Sequence, residues 1–193
     1  MKFYLSMVLA AILITVTANA QHINVGFKAG LNIYNINNDN NVEYDAKTGF
    51  HTGLIAHIHL AKQLALQPEI TFSAQGAKYT FAGVETKLNL DYINVPFMFQ
   101  YMFDNGFRIQ AGPQVGFLVS AKSETNNTSV NFENNLKPVD FSLGTGVSYV
   151  FVSSGFGVDA RYNIGLSNIN DNSSVKSTNN GFQFGVFYLF NNK

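Results

Sequence analysis

The chain has no cysteine, which excludes disulfides, thiolate zinc sites, iron–sulfur clusters and cysteine nucleophiles. Only 12% of its 193 residues are charged, where a soluble domain carries about 25%. Charge of one sign is also missing, because twelve basic residues balance twelve acidic ones. That balance gives no electrostatic reason to expect a nucleic-acid partner. Past residue 20 no apolar run reaches the length of a helical membrane span. A membrane location for the rest of the chain therefore excludes helices as the spanning elements. What is present in quantity is apolar surface: 46% of residues are hydrophobic and 18 are Phe. The length allows one domain of ordinary size.

The N-terminus carries a leader pattern. Lys2 is a short positive segment, and Phe3 to Val16 is an apolar run, shorter than the ~20 residues of a comfortable span. Ala18-Asn19-Ala20 then supplies small residues at the positions a secretory cleavage site needs. Cleavage after Ala20 is expected, leaving Gln21 first and one domain over 21–193. The length of the run disfavours the alternative, an uncleaved anchor. No Cys follows it to accept a lipid.

Period-two alternation predicts eight strands, over about 24–34, 49–60, 64–81, 88–103, 107–120, 138–151, 155–166 and 181–190. In the first, Val25, Phe27, Ala29, Leu31 and Ile33 oppose Gly26, Lys28, Gly30 and Asn32. In the fourth, Ile93, Val95, Phe97, Phe99, Tyr101 and Phe103 oppose Asn94, Met98 and Gln100. The last sets Phe182, Phe184, Val186, Tyr188 and Phe190 against Gln183 and Gly185. Ala61-Lys62-Gln63, Asp104-Asn105-Gly106 and Val152-Ser153-Ser154 read as tight turns, and Asn-Gly is a strong hairpin signal. Residues 35–48, 121–137 and 167–180 read as long polar loops, and 82–87 as a shorter one. Three short turns and both termini then share one end, and four loops the other, the plan of an outer-membrane barrel with periplasmic turns and extracellular loops.

Alternation also fits a soluble lipocalin-like barrel that binds apolar ligands, with the opposite sense. An inward apolar face would leave glycines, Ser, Asn and Gln as a poorly charged surface. It would also force the Phe residues into a lumen that eight strands leave barely wide enough for side chains. An outward apolar face meets lipid and fills the narrow lumen with small and polar groups. Tyr34, Tyr79, Phe81, Tyr92, Tyr101, Phe103, Phe107, Tyr149 and Phe151 are then expected at the membrane interfaces. The reading is an all-β, eight-stranded antiparallel up-and-down transmembrane β-barrel. Strands such as 64–81 exceed the ~9–11 residues needed to cross, so the barrel should project beyond the bilayer.

Several segments carry a family resemblance: Val25-Gly26-Phe27-Lys28-Ala29-Gly30-Leu31-Asn32, Leu66-Gln67-Pro68-Glu69-Ile70, Asp91-Tyr92-Ile93-Asn94-Val95-Pro96-Phe97, Ala111-Gly112-Pro113 and Gly155-Phe156-Gly157-Val158-Asp159-Ala160-Arg161-Tyr162. Over the whole mature chain they resemble the PorT-like outer-membrane β-barrel family of Bacteroidetes, Gram-negative bacteria, whose small eight-stranded barrels share the plan of OmpA and OmpX. The resemblance implies an outer-membrane location with both termini periplasmic. It names no activity, although one member is linked to protein secretion. This chain departs from the usual terminal aromatic: Phe190 is followed by Asn191-Asn192-Lys193.

The inward-facing charges are Lys28, Glu69, Arg108, Asp140, Asp159 and Arg161. Unpaired charges in a narrow lumen are costly, so these should pair into a network that plugs the barrel; a gated, porin-like small-solute pore is the alternative. His51, His57 and His59 share one strand face. His57 and His59 lie about 6.5–7 Å apart along a strand, and with Glu69 next door they could share a metal. Polar lumen filling is the favoured reading, and no metal or cofactor is expected. Outer-membrane barrel enzymes place Ser, His and Asp near the outer rim. Here His51 is the only histidine placed near it, no Gly-x-Ser-x-Gly is present, and no catalytic residue is assigned. The triplets Asn126-Asn127-Thr128 and Asn172-Ser173-Ser174 read as Asn-rich loop rather than glycosylation sites. The function expected is non-enzymatic, structural or binding, through the outer loops. Its partners would be outer-membrane lipid, the barrel-assembly machinery during biogenesis, and an unidentified extracellular or secretion-system partner.

Overall fold

The computed structural model describes residues 23–39, 43–126, 128–171 and 175–190. The expected leader, its cleavage site, Asn127 of the first Asn-rich triplet and the whole of Asn172-Ser173-Ser174 lie outside them. Nine antiparallel strands follow in order: β1 Ile23–Asn38, β2 Asp45–Ala61, β3 Leu64–Phe81, β4 Val84–Met102, β5 Phe107–Thr125, β6 Thr128–Asn131, β7 Val139–Phe151, β8 Phe156–Gly165 and β9 Ser177–Leu189. Each strand but β6 has two neighbours in the ring, and β5 also pairs with β6. β1 pairs with β2 and β9, and β4 pairs with β5, so eight strands close a ring. Closure leaves those strands no free edge. β6 is a short addition on β5, outside the ring, within a segment expected to be loop.

Local chemistry sets the turns. Lys62 and Gln63 join β2 to β3. Between β4 and β5 the Asn-Gly pair turns the chain, with Gly106 at a φ of +90° that a side chain would resist. At the opposite end the expected 82–87 loop is only a two-residue turn, Ala82-Gly83, with φ of 50° and 80°. Both central residues at positive φ suit the right-handed strand twist of a tight hairpin. Polar strand ends explain the difference: Glu85 and Lys87 look like loop but belong to β4. β1 and β9 likewise run further than expected, to Asn38 and from Ser177.

The apolar face points outward. Phe27, Leu31, Leu54, Ile70, Phe99, Phe141, Phe182 and Phe184 are exposed, whereas Lys28, Asn32, His51, Glu69, Arg161 and Gln183 are buried inside. This sense is opposite to that of a lipocalin. Around the short-turn end the outside carries aromatic pairs, Tyr101 with Phe103, Tyr149 with Phe151, and Tyr188 with Phe190. Tyr34 and Tyr92, expected at the interfaces, are each only 1% exposed and sit inside. Their parity explains it: Tyr34 is in phase with Lys28 and Asn32, and Tyr92 with Asn94, all buried. Inside at the short-turn end, Ile55, Val150, Phe187 and Leu189 form an apolar cluster. Gly157 makes room for it, since a Cβ there would lie 2.3 Å from the Phe187 ring.

Toward the long-loop end the pattern inverts within single strands. From Ile93 to Tyr101, β4 points Ile93, Val95, Phe97 and Phe99 outward and Asn94 and Gln100 inward. From Glu85 to Tyr92 the same strand points Glu85, Lys87, Asn89 and Asp91 outward and Leu88, Leu90 and Tyr92 inward. In β1, Ile36 is buried while Asn35 and Asn37 face out. A nine-residue band from Ile93 to Tyr101 is enough for a strand to cross a bilayer, which takes about 9–11 tilted residues. Beyond it the sheet returns to the sense used in water.

Candidate functional site

Four charges from three strands meet at mid-lumen: Lys28 on β1, Glu69 on β3, and Asp159 and Arg161 on β8. Lys28 Nζ donates to Asp159 Oδ2 at 2.8 Å and lies 3.7 Å from Glu69 Oε2. Arg161 holds Glu69 with both arms of its guanidinium, Nη2 to Oε1 at 2.7 Å and Nη1 to Oε2 at 3.2 Å. Gln67 Nε2 adds a third bond to Glu69 Oε1 at 2.9 Å. The quartet sums to zero formal charge. Planar guanidinium matches carboxylate geometry, so the pair is directional as well as charged. A charge left alone there would lose its hydration without repayment, and pairing removes that cost.

A neutral network continues the blockade. Asn32 Nδ2 donates to Ser73 Oγ and to the Ala74 carbonyl, and Asn32 Oδ1 accepts from Gln183 Nε2 at 3.1 Å. His51 Nδ1 lies 2.8 Å from the same Oδ1, so it carries the proton and donates. His51 is therefore part of lumen filling, bonded to an amide rather than a hydroxyl. Above it, Asn163 Nδ2 donates to Tyr34 Oη at 2.7 Å. Eleven buried side-chain N or O atoms among the described residues have no hydrogen-bond partner, including Nε2 of His51, Oδ1 of Asp159 and Nε of Arg161.

The other two expected network members do not join the quartet. Arg108 has no carboxylate partner among the described residues; its Nη1 donates to Gln100 Oε1 at 3.3 Å and His57 Nδ1 at 3.4 Å. Asp140 accepts from Ser167 Oγ. Each keeps 7% of its surface exposed, and the register separates them along the barrel. Arg108 pairs with Met102 at the short-turn end, and Asp140 with Gly116 toward the loops. The expectation that all six pair is thus corrected, because charges at the lumen ends find amides, hydroxyls and some solvent.

The metal alternative fares differently from its spacing. His57 and His59 do meet, edge to face with ring centroids 4.6 Å apart. Glu69, however, is turned to Arg161, Lys28 and Gln67. No group of three or more potential metal ligands exists among the described residues.

One feature escaped sequence reasoning: an apolar cluster across the long-loop mouth. Ile36, Leu90, Tyr92, Leu136 and Ile169 are buried together, with Tyr44, Leu88, Leu118 and Phe132 packed against them. Leu136 and Ile169 come from the loops around β6 and after β8, tied by a bridge between Leu136 and Asn170. The signal was present in Leu88 and Leu90, in phase with inward Asn94.

Known proteins of the same architecture support the reading of the fold. Ail, the attachment invasion locus protein of Yersinia pestis, shares 14% identity at a TM-score of 0.54, over 86% of this chain and 98% of that one. The structure of Ail with the heparin analogue sucrose octasulfate matches with 13% identity and a TM-score of 0.54, over 88% of this chain and 99% of that one. Neisserial surface protein A shares 14% identity at 0.53, over 89% and 100%. No curated protein matches at significance. The profile of the outer membrane protein beta-barrel domain matches residues 19–171. With lipid-facing apolar strands closed into a ring and that profile spanning most of its length, the chain belongs to the outer membrane protein beta-barrel domain family.

Proposed function

We propose that this is a non-enzymatic outer-membrane barrel whose lumen is plugged and which acts through its long-loop end, as a structural or binding protein. The observation that carries it is the neutral quartet Lys28–Glu69–Asp159–Arg161 across mid-lumen, with apolar clusters at both ends. Eight strands leave an interior just wide enough for side chains to fill. The short-turn end, with both termini, is assigned to the periplasm, because short turns lie there in barrels of this kind. The leader sequence and the PorT-like motifs favour secretion in a Gram-negative host of the Bacteroidetes. Lipid and the barrel-assembly machinery are the partners this requires. A secretion-system partner would dock on the loops.

Two measurements test it. Outer-membrane fractions run on gels before and after boiling should show a mobility shift, as a closed barrel resists detergent until heated. In planar bilayers the purified protein should give no discrete conductance at neutral pH. An open state would replace the plug with the second reading, a small-solute pore. That reading is favoured by the unpartnered lumen atoms, since buried polar groups without protein partners call for water. Water files that do not conduct ions agree with the plug.

A further inference from the structure

We propose that the long-loop mouth is a blind capture site for a small, mostly apolar molecule that is neutral or carries one positive charge. A cavity of about 550 Å³ opens there. That lies within the range of about 300–1,000 Å³ typical of small-molecule sites. Its origin is the inversion of the sheet above the lipid band. Inward residues there are apolar and need cover from water, and the described loop residues supply part of it. Leu136 and Ile169 cap the centre, while Leu88 and Tyr44 remain half-buried and line open space. Apolar walls facing a gap forgo their packing contacts, and an apolar occupant would restore them.

The rim sets the charge of the ligand. Asn134, Asn135 and Asp171 line the opening, and their side chains have no hydrogen bond to the protein among the described residues. Among the described residues no Lys or Arg lines the cavity, and Asp171 is the one carboxylate in its lining. An anion would meet carboxylate repulsion with no compensating base. A hydroxyl or ammonium group would find carboxamides and a carboxylate as acceptors. Beneath the cavity Tyr92 and Ala121 are almost fully buried, and the charge quartet lies below, so the site holds its ligand rather than passing it through.

The proposal rests on the reading of the barrel as a loop-end binding protein, and it is tested on the full mature chain in phosphatidylcholine nanodiscs. Three naphthalene-sized probes differ only in charge: 1-naphthalenemethanol, 1-naphthylmethylammonium and 1-naphthoate. Isoleucine methyl NMR reports on Ile36 and Ile169 in the mouth, with lipid-facing Ile70 and Ile109 marking simple partitioning. The alcohol and the ammonium should shift Ile36 and Ile169 saturably, and naphthoate should bind at least about tenfold more weakly. The Asp171 carboxylate should make the ammonium bind more tightly than the alcohol, and Asp171→Asn should erase that difference. Leu136→Trp, or Asn135→Trp if the first does not fold, should fill the cavity and abolish both shifts while the gel shift persists. Naphthoate binding as well as the alcohol, or shifts at Ile70 and Ile109 without saturation at Ile36 and Ile169, would overturn it. A conducting barrel that still shows saturable mouth shifts would sink the plug and leave this site standing. A heat-modifiable, non-conducting barrel without them would do the reverse.

Discussion

The two halves of β4 are one strand with two grammars. Between Ile93 and Tyr101 the outside is apolar and the inside polar; between Glu85 and Tyr92 the reverse holds. Both halves pair with β3 in one unbroken register, and the ladder with β5 shifts by one bulge at Asp91/Tyr92, where the halves meet. What changes is the surrounding solvent. Beside lipid there is no hydrophobic gain in turning a Phe inward, while polar side chains gain by leaving lipid for one another. In water the apolar side chains are the ones driven inward. The same ring therefore has an ion-paired middle and an apolar mouth, and each half is stable only at its own height in the bilayer.

The most damaging break should come in the middle. Glu69→Ala leaves Arg161 without a carboxylate at hydrogen-bond distance, and removing one partner of a buried pair costs about 3–5 kcal/mol. The urea midpoint of the unboiled, folded gel band should fall accordingly, and replacing Arg161 as well should restore part of it. Next comes a direct test of the two grammars on one strand face. Val95→Arg places a charge in the lipid band and should cost about 2–4 kcal/mol if it lies near the midplane. Asn89→Arg, six residues away on the same face, should stay within about 0.5 kcal/mol because that surface is already in water. Equal costs would refute the boundary between the halves.

Two smaller changes sharpen the line. Tyr34→Phe removes the acceptor for Asn163 near the height where the pattern inverts. One lost buried hydrogen bond should cost about 0.5–1.5 kcal/mol, read by the same urea titration. Glu85→Ala breaks the contacts with Lys78 at 3.6 Å and Lys87 at 3.7 Å. These side chains are well exposed, so the loss should not exceed about 1 kcal/mol and should shrink in high salt.

Much of this was legible residue by residue. Phe97 and Phe99 alternate with outward parity against Met98 and Gln100 because side-chain direction reverses at each step. The parity of Lys28, Glu69, Arg108, Asp140, Asp159 and Arg161 likewise predicted the inside, where all six are buried. The start of β4 was missed because Glu85, Lys87 and Asn89 carry the composition of a loop. β6 was missed because all four of its residues are exposed and leave no alternation to read. Tyr34 and Tyr92 lie inside because phase, not residue type, sets the side of a strand.

By itself, then, the sequence determined which side chains face in and which face out, since that depends on a local period of two. It also set where the lipid pattern stops, in the change of phase between Asp91 and Ile93. Only the tertiary structure decided which charges meet. Lys28 and Asp159 are 131 residues apart, and Glu69 and Arg161 are 92 apart. Their heights in the lumen follow from the stagger that closes the ring, which no single strand encodes. The same stagger brings Leu136 and Ile169 over Leu90 and leaves a cavity among the described residues of the mouth.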